Sequence, residues 1–404
     1  MKRTINSLFA FWAVIVIFLV VPQQVNAAMI NSRAALMVDA DTGQVIYQQN
    51  IDQKLPIASV SKLLTACVIE DEVAHHQLSW HQKIKITPAV AAVSNDPDYS
   101  AVGLQAGQSY TVRELFDVML VKSADGAALA LATANGKTIK QFNTKMVKKA
   151  KQIGLRNVTI VNSVGLRNGD LKQVTQKGIK KQSENAMTAR DVAILSLYLI
   201  RHYPQVLDIT KRPQENFTVF PGKVVVADNS KEMLTGKNYE MPNVTIDGLK
   251  TGTSDKAGEC FVSTGMYHGH RMITVVLHAN GGNGDRFVDT QRLYQYLQNN
   301  VHPRRVTLSH RQAHPEIARG DRKRLAVGVA PVDIWQDSKF HYRLQVHYRQ
   351  KLTNFNGQLV APVKKGQRLG SATIESKSLK TIDKKPLTVN LYSKETIKRH
   401  GLFN

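Results

Sequence analysis

Cysteine is nearly absent from this sequence, which has only Cys67 and Cys260 among its 404 residues. The single pair excludes a small scaffold held together by several disulfides and allows at most one bridge. Cys67 continues the apolar face of a predicted helix, and Cys260 begins an apolar run. We therefore expect two buried free thiols rather than a disulfide.

Long apolar runs are also rare, and after the N-terminus none is long enough to cross a membrane. The N-terminus has Lys2-Arg3, an apolar run from Leu8 to Val21, and then Val25-Asn26-Ala27-Ala28, which is the pattern of a secretory signal. A run of about 14 apolar residues is short for an anchor of about 20. We expect residues 1–27 to be a cleaved signal peptide, with the protein exported to the extracellular face of the membrane, to the cell wall, or released.

Acidic residues are scarce. The sequence has 31 Asp and Glu but 54 Lys and Arg, which gives a net charge of +23. This charge says nothing about the fold, but it bears on partners. An exported protein meets anionic wall polymers and lipid headgroups rather than nucleic acid, so we expect no nucleic-acid partner. Contact with wall polymers or the membrane surface is one interpretation, and a purely solubilising role is the other.

Metal-ligand patterns are lacking as well. His75, His76 and His81 lie close together, but no cysteine or carboxylate joins them at ligand spacing. We interpret them as the polar end of a helix and predict no metal site.

The most informative stretch runs from Ser59 to Lys62, a serine and a lysine three residues apart, followed by apolar residues at helical spacing. Residues i and i+3 share a helix face, so the lysine amine can share a proton with the serine hydroxyl. This is one way to activate a serine without a histidine. The motif alone is weak, since a capping serine and a solvated lysine have the same spacing.

Two later stretches strengthen the prediction: Ser123-Ala124-Asp125 and Lys250-Thr251-Gly252-Thr253. The series Ser-x-x-Lys, Ser-x-Asn and Lys-Thr-Gly is the signature of penicillin-binding proteins and class A β-lactamases. The first and third motifs match, whereas the second has Asp125 where Asn is usual.

The pattern along the chain predicts an α+β fold. Residues 34–39 and 44–47 form a predicted hairpin, and strands at 261–265 and 272–277 lie near the other end of the same domain. We expect these first and last strands to be neighbours in an antiparallel sheet, with helices supplied by the sequence between them. Predicted helices cover 111–120, 124–134, 142–153, 188–202 and 287–297.

After Pro303 the sequence changes to short alternating runs separated by turn residues, which predicts a small all-β domain. The predicted division is therefore a domain at 28–302 and a C-terminal β-sandwich-like domain at 303–404.

Together these residues resemble a low-molecular-mass penicillin-binding protein of the serine-type D-alanyl-D-alanine carboxypeptidase family. The resemblance runs from about residue 30 to residue 390 and includes Thr188-Ala189-Arg190-Asp191 and the tail segment 359–367. It implies a β-lactamase-like transpeptidase domain with helices on both faces of the sheet. It also implies removal of the terminal D-alanine from peptidoglycan stem pentapeptides, covalent inhibition by β-lactams, and no cofactor.

The resemblance also implies roles for the motif residues. Ser59 would be the acylated nucleophile, Lys62 its general base, and Ser123 the relay of a proton to the leaving amine. Lys250 and Thr251 would bind the substrate carboxylate, and the backbone N–H groups of Ser59 and Thr253 would form the oxyanion hole. Asp125 and Gly252 complete the expected substrate-binding set.

Asp125 is the main departure from the family pattern. In relatives the Asn amide would donate to a substrate carbonyl, whereas an ionised Asp only accepts hydrogen bonds. A carboxylate would also stabilise protonated Lys62 and raise the pKa that a general base needs lowered. We expect an acylation site with reduced or shifted activity.

Two other functions remain open at the level of sequence. A β-lactamase needs a glutamate that activates water, but Glu184, Glu215, Glu232 and Glu240 all lack the Glu-x-x-Leu-Asn setting, and the β domain has no place there. The second is a cationic envelope protein that binds wall peptides or polymers without cleaving them.

Overall fold

The computed structural model describes residues 30–282 and 284–400. The expected signal peptide, residues 1–27, lies outside the described residues. Within the described ranges, no helix combines the length and the apolar composition that a bilayer crossing requires.

Helices fill the middle of the chain, and strands dominate its two ends. The α-helices are α1 (Lys62–Ala74), α2 (Pro88–Ser94), α3 (Val112–Val121), α4 (Asp125–Ala132), α5 (Ile139–Ile153), α6 (Ala189–His202), α7 (Val206–Thr210), α8 (Asp285–Asn300) and α9 (His310–Ala313). Short 3-10 segments lie at Ala58–Ser61, Ala134–Gly136, Asn168–Val174 and Gln350–Leu352.

The strands of the first part are β1 (Ala34–Asp39), β2 (Val45–Gln49), β3 (Leu55–Pro56), β4 (Lys83–Lys85), β5 (Ser109–Thr111), β6 (Ala186–Met187), β7 (Gln214–Phe220), β8 (Lys223–Asp228), β9 (Val244–Ser254), β10 (Gly258–Tyr267) and β11 (His270–Ala279). The later strands are β12 (His302–Arg305), β13 (Ile317–Ala318), β14 (Val327–Val329), β15 (Asp333–Gln336), β16 (Arg343–Tyr348), β17 (Leu359–Val360), β18 (Arg368–Glu375) and β19 (Thr388–Ser393).

A five-stranded antiparallel sheet in the order β2-β1-β11-β10-β9 organises the first part. Strand β1 pairs with β11, with Met37 opposite Thr274, so the prediction that the first and last strands are neighbours is confirmed. Alternation along β1 directs Leu36 into the core that holds α1 and α6, and Met37 into the core that holds α8. The predicted α+β fold with helices on both faces of the sheet is therefore confirmed.

Local sequence signals explain several helix boundaries. Thr111 and Glu114 form a reciprocal capping box at the start of α3, as predicted. Helix α5 ends at Gly154, whose φ of 91° lies in the left-handed region that glycine adopts readily. Cys67 and Cys260 are both buried and free, in agreement with the sequence prediction.

The β7–β8 hairpin was not predicted. Its strands carry Val, Phe and Thr, but its buried Phe217 stacks on Tyr110, which is far away in sequence. Its turn lies at Pro221-Gly222, a dipeptide that is typical of turns.

The C-terminal part is a β domain with its own apolar core. Its largest sheet has the order β14-β19-β18-β16, and Val327, Leu369 and Leu391 are among the buried residues of that core. The predicted C-terminal β domain is therefore confirmed.

Trp335 of β15 joins the β domain to the first sheet. It is only 2% exposed and packs in the same core as Phe261 and Phe287. Its indole N–H donates to Asp39 at 2.9 Å, and its backbone N–H donates to the side chain of Gln44 at 2.8 Å. Trp335 is thus one large buried side chain that anchors the β domain.

We expect Trp335→Ala to lower the free energy of unfolding by about 3–5 kcal/mol, the usual cost of emptying a large aromatic site. Guanidinium denaturation measures the change. Phe355→Ala is the control, because Phe355 is fully exposed and its loss should change stability by less than about 0.5 kcal/mol. Equal effects of the two substitutions would contradict the anchoring role.

Candidate active site

Ser59 lies in a 3-10 turn directly before α1, and Lys62 is the first residue of that helix. The Lys62 amine is 2.7 Å from the Ser59 hydroxyl. Lys62 is completely buried, whereas Ser59 is partly exposed. The first motif therefore places a buried amine beneath an accessible hydroxyl, which is the geometry that proton transfer from a nucleophile requires.

The second motif surrounds the same amine. Lys62 Nζ is 3.4 Å from Ser123 Oγ and 2.7 Å from Asp125 Oδ1. Ser123 follows α3 with a φ of 72°, a left-handed conformation that is uncommon for a residue with a side chain and often marks a functional site. The other oxygen of Asp125 accepts from the backbone N–H of Ser100 at 2.9 Å. Both carboxylate oxygens are thus occupied by donors.

A tight loop supplies a further acceptor to Lys62, the Val164 carbonyl oxygen at 3.2 Å. The Asn162 side chain holds this loop by accepting from the N–H groups of Val164 and Gly165 at 3.0 and 2.7 Å. Gly165 has a φ of 95°, and a Cβ there would overlap the Ala58 carbonyl at 1.9 Å. The loop therefore packs directly against the Ser59 turn and needs a glycine at this point.

The third motif lies on β9, the edge strand of the sheet. A Cβ on Gly252 would come within 2.6 Å of the Ile57 carbonyl and 3.2 Å of the Ser59 nitrogen. Only a glycine lets β9 approach the nucleophile turn this closely. Thr251 and Thr253 flank this contact, and the Thr251 hydroxyl is 2.8 Å from that of Ser230.

The two motif lysines have unusual electrostatic surroundings. Burial lowers the pKa of Lys62, and the Asp125 carboxylate opposes this shift. Lys250 is also fully buried and donates to the Thr251 carbonyl at 3.0 Å. Burial and then the nearby charges of Lys62 and Lys231 hold the pKa of Lys250 well below its usual range. Asp125 is therefore the counter-charge that favours the protonated form of Lys62.

These groups border a cleft of about 730 Å³. Ser59, Ser123, Asp125, Thr251, Gly252 and Thr253 line it. Lys62 and Lys250 lie behind its wall, since both side chains have no exposed surface. The structure thus brings all eight motif residues predicted from sequence into one region.

Arg286 is a cleft residue that the sequence analysis missed. Its guanidinium donates to the Thr253 hydroxyl at 2.9 Å and to the Gly252 carbonyl at 3.1 Å, and it forms an ion pair with Glu259 at 3.0 Å. It is the second residue of α8 and lies 34 residues after Gly252, so no local spacing pattern connects the two. The only sequence signal was an arginine directly before the helix predicted at 287–297.

Lys231 is a second residue that the sequence analysis missed. Its side chain is fully buried, and its amine donates to the Leu120 carbonyl at 3.0 Å, close to the end of α3 and to Ser123. The preceding residue, Ser230, contacts Thr251 on β9. This short segment therefore connects the Ser123 side of the cleft to the Thr251 side. Burial, together with the charge of Lys237, lowers the pKa of Lys231 to about 7.

Comparison with known proteins identifies the family of this chain. The family model described as D-alanyl-D-alanine carboxypeptidase matches residues 21–281, well over half of the chain. The chain belongs to this family. It is a low-molecular-mass penicillin-binding protein and a hydrolase of the serine-type D-alanyl-D-alanine carboxypeptidase class, with a function in peptidoglycan metabolism.

Individual relatives agree with this assignment. The D-alanyl-D-alanine carboxypeptidase DacF of Bacillus subtilis is 24% identical over 384 residues, covering 92% of this chain and 87% of the relative. The structure of a peptidoglycan synthesis regulatory factor (PBP3) from Streptococcus pneumoniae is 28% identical with a TM-score of 0.78, covering 92% of this chain and all of that one.

A third relative is penicillin-binding protein D2 from Listeria monocytogenes in a cefotaxime-bound form, 29% identical with a TM-score of 0.54 over 66% of this chain and 97% of that one. The family match favours an enzyme over a binding protein without catalysis.

Lys231 makes stability depend on pH in a definite direction. Its pKa falls from 10.5 to about 7 on folding, so the unfolded chain binds one more proton between these values. Stability therefore rises as the pH increases from 7 towards 10.5. Lys62 and Lys250 act in the same direction.

We expect Lys231→Met to remove about one proton from the slope of unfolding free energy against pH between about pH 8 and 9.5. Denaturant titrations at several pH values measure the slope. Lys223→Met, on the exposed β7–β8 hairpin, is the matched control and should leave the slope unchanged. An unchanged slope in Lys231→Met would show that this amine stays protonated in the folded protein.

Proposed function

We propose that this enzyme removes the terminal D-alanine from peptidoglycan stem pentapeptides through an acyl-enzyme on Ser59. The observation that carries this proposal is the distance of 2.7 Å between the buried Lys62 amine and the partly exposed Ser59 hydroxyl, at the wall of a cleft. Neither partner needs to move for the proton to pass between them.

In the first step the Ser59 oxygen attacks the carbonyl carbon of the terminal peptide bond, and Lys62 in its neutral form takes the hydroxyl proton. The C–N bond then breaks, and a proton passes to the departing nitrogen through Ser123, which lies 3.4 Å from Lys62. D-Alanine leaves as an amine. Water then attacks the ester, and Ser59 regains its proton as the shortened peptide is released.

The negative charge that develops on the carbonyl oxygen needs fixed donors. We assign these to the backbone N–H groups of Ser59 and Thr253, because the close approach at Gly252 brings β9 beside the Ser59 nitrogen. Preorganised donors of this kind are typically worth about 3–4 kcal/mol in the transition state.

The substrate carboxylate is assigned to the end of the cleft at Thr251, Thr253 and Arg286. The Arg286 guanidinium already lies 2.9 Å from the Thr253 hydroxyl, and a planar guanidinium suits a carboxylate. Lys250 lies behind this surface with no exposed area, and its amine supports β9 by donating to the Thr251 carbonyl at 3.0 Å.

Asp125 sets the pH range of this reaction. Its carboxylate forms a buried ion pair with Lys62 at 2.7 Å and favours the protonated amine, while the mechanism needs the neutral one. Its second oxygen is held by the Ser100 N–H and is not a donor for a substrate carbonyl. Reduced or shifted activity relative to an Asn at this position follows from both contacts.

We also propose the location and the division of the chain. Residues 1–27 act as a signal peptide, residues 28–302 form the catalytic domain, and residues 303–404 form the C-terminal β domain. The mature enzyme works at the extracellular face of the membrane or in the cell wall. β-Lactams are expected to acylate Ser59, in keeping with the cefotaxime-bound and ampicillin-bound structures of the Listeria relative.

The acyl-enzyme is tested by intact-mass measurement after incubation with benzylpenicillin. We expect one adduct per mature protein and none in Ser59→Ala, which removes only the attacking oxygen. Ser61→Ala is the control, since Ser61 donates to the Ala58 carbonyl at 2.6 Å and plays no part in attack. A folded protein without an adduct would overturn Ser59 acylation and leave a binding protein as the better account.

The role of Asp125 is tested by the pH profile of acylation. Asp125→Asn removes the counter-charge, so the pKa of Lys62 falls and the rising limb of the profile moves to lower pH. The rate of D-alanine release at neutral pH should therefore rise.

Asp125→Ala separates the two contributions of Asp125. It also removes the charge but provides no amide. It should therefore move the rising limb of the pH profile to lower pH without lowering KM. An unchanged or lower rate of D-alanine release in Asp125→Asn, with no shift of the rising limb of the pH profile, would contradict this role of the carboxylate.

A further inference from the structure

A second and larger concavity lies between the catalytic part of the chain and the C-terminal β domain. It has a volume of about 1650 Å³ and is bordered by β2, β16, β18 and the segment 376–386. We call it the basic groove. The basic groove shares none of its lining residues with the catalytic cleft.

The lining of the basic groove has a strong charge imbalance, with seven Lys and Arg against Asp52 and Glu375. Both acids already form ion pairs, Asp52 with Arg190 at 2.6 Å and Glu375 with Arg343 at 2.6 Å. In contrast, three further lysines have no carboxylate partner among the described residues: Lys339, Lys377 and Lys380. Such a concave surface concentrates anions.

The wall that carries Lys377 and Lys380 is fixed to the catalytic sheet. The backbone N–H of Val45 donates to the Lys380 carbonyl at 2.8 Å, and the Ile382 N–H donates to the Gly43 carbonyl at 2.8 Å. The Arg190 guanidinium donates to the Ile382 carbonyl at 2.8 Å. Ile382 itself is 5% exposed within the helical core. The cationic side chains therefore project from a backbone that needs no ordering on binding.

Apolar groups lie between the charges. Val45, Tyr342, Ile374 and Leu379 line the groove together with the lysines. A ligand that alternates negative groups with carbon-rich units matches both features. Tyr342 adds an aromatic ring with a polar hydroxyl to this lining.

We propose that the basic groove binds a linear anionic polymer of phosphodiester-linked polyol or sugar units, the chemistry of an anionic cell-wall polymer. The groove lies at the β2 edge of the sheet, and the catalytic strand β9 lies at the other edge, four strand spacings away. At about 4.8 Å per spacing this is about 19 Å, so a bound polymer leaves the cleft open. The inference uses the proposed export but does not depend on the proposed catalytic roles.

The test measures binding of a poly(glycerol phosphate) chain of defined length to the mature protein at 150 mM salt. The variant Lys339→Glu/Lys377→Glu/Lys380→Glu should weaken binding by more than about tenfold, because three contacts become repulsive. The matched control is Lys140→Glu/Lys148→Glu/Lys151→Glu on α5, where three exposed lysines also lack a carboxylate partner among the described residues. It changes the net charge by the same amount and should weaken binding by less than about threefold.

Three results would overturn the proposal. Equal weakening in both triple variants would mean that net charge alone attracts the polymer. Loss of binding to phosphatidylglycerol vesicles in the groove variant, with polymer binding retained, would assign the groove to a membrane surface.

The third contrary result comes from a milder variant, because the three Glu substitutions could also disturb folding. The Lys→Gln triple at the three groove positions removes charge without repulsion and should also bind more weakly than the α5 control. If it binds like the wild type, the groove is not the site.

All variants should release D-alanine from a small soluble peptide at the wild-type rate. This activity measurement separates failure of the polymer-binding proposal from failure of the proposed catalysis.

Discussion

Desolvation of the Lys62 amine is the constraint on which the rest of the catalytic site depends. Burial lowers the pKa of the Lys62 amine, which is the direction that a lysine acting as a base requires. Its acceptors come from three separate parts of the chain: the Ser59 turn, the Ser123–Asp125 segment and the Val164 loop. Folding of the helical part therefore also assembles the proposed base.

The same constraint explains why Asp125 matters more than its similarity to Asn suggests. Two donors, the Lys62 amine and the Ser100 N–H, point at the two side-chain oxygens of this residue. A carboxylate satisfies both, while an amide has one oxygen and faces one of the donors with its own N–H₂. An Asn at this position therefore works best beside a neutral lysine, which can accept a hydrogen bond. The identity of one side chain thus couples the protonation state of the base to the geometry of the loop at Ser100.

Much of the site could be predicted from the sequence, because its chemistry is carried by short motifs and its helices by local caps. The pairing of β1 with β11 was also predicted, because strands lie at both ends of the sequence of this domain with helices between them. Arg286 and Lys231 could not be predicted in the same way. Arg286 reaches Thr253 only because α8 packs behind the sheet, and Lys231 was recognisable only once its burial was known. Both depend on tertiary packing that no local spacing encodes.

The C-terminal β domain is attached to the catalytic part through buried side chains on both faces of the sheet. Trp335 and Ile382 insert into two separate cores of the catalytic part, one on each face of its sheet. Two anchors on opposite faces resist rotation, whereas a single anchor would permit it. The basic groove, with its surface lysines, lies between these two parts of the molecule. A rigid joint of this kind is of little use to a domain that only covers apolar surface, but it is what a charged binding surface needs in order to hold a fixed geometry relative to the active site.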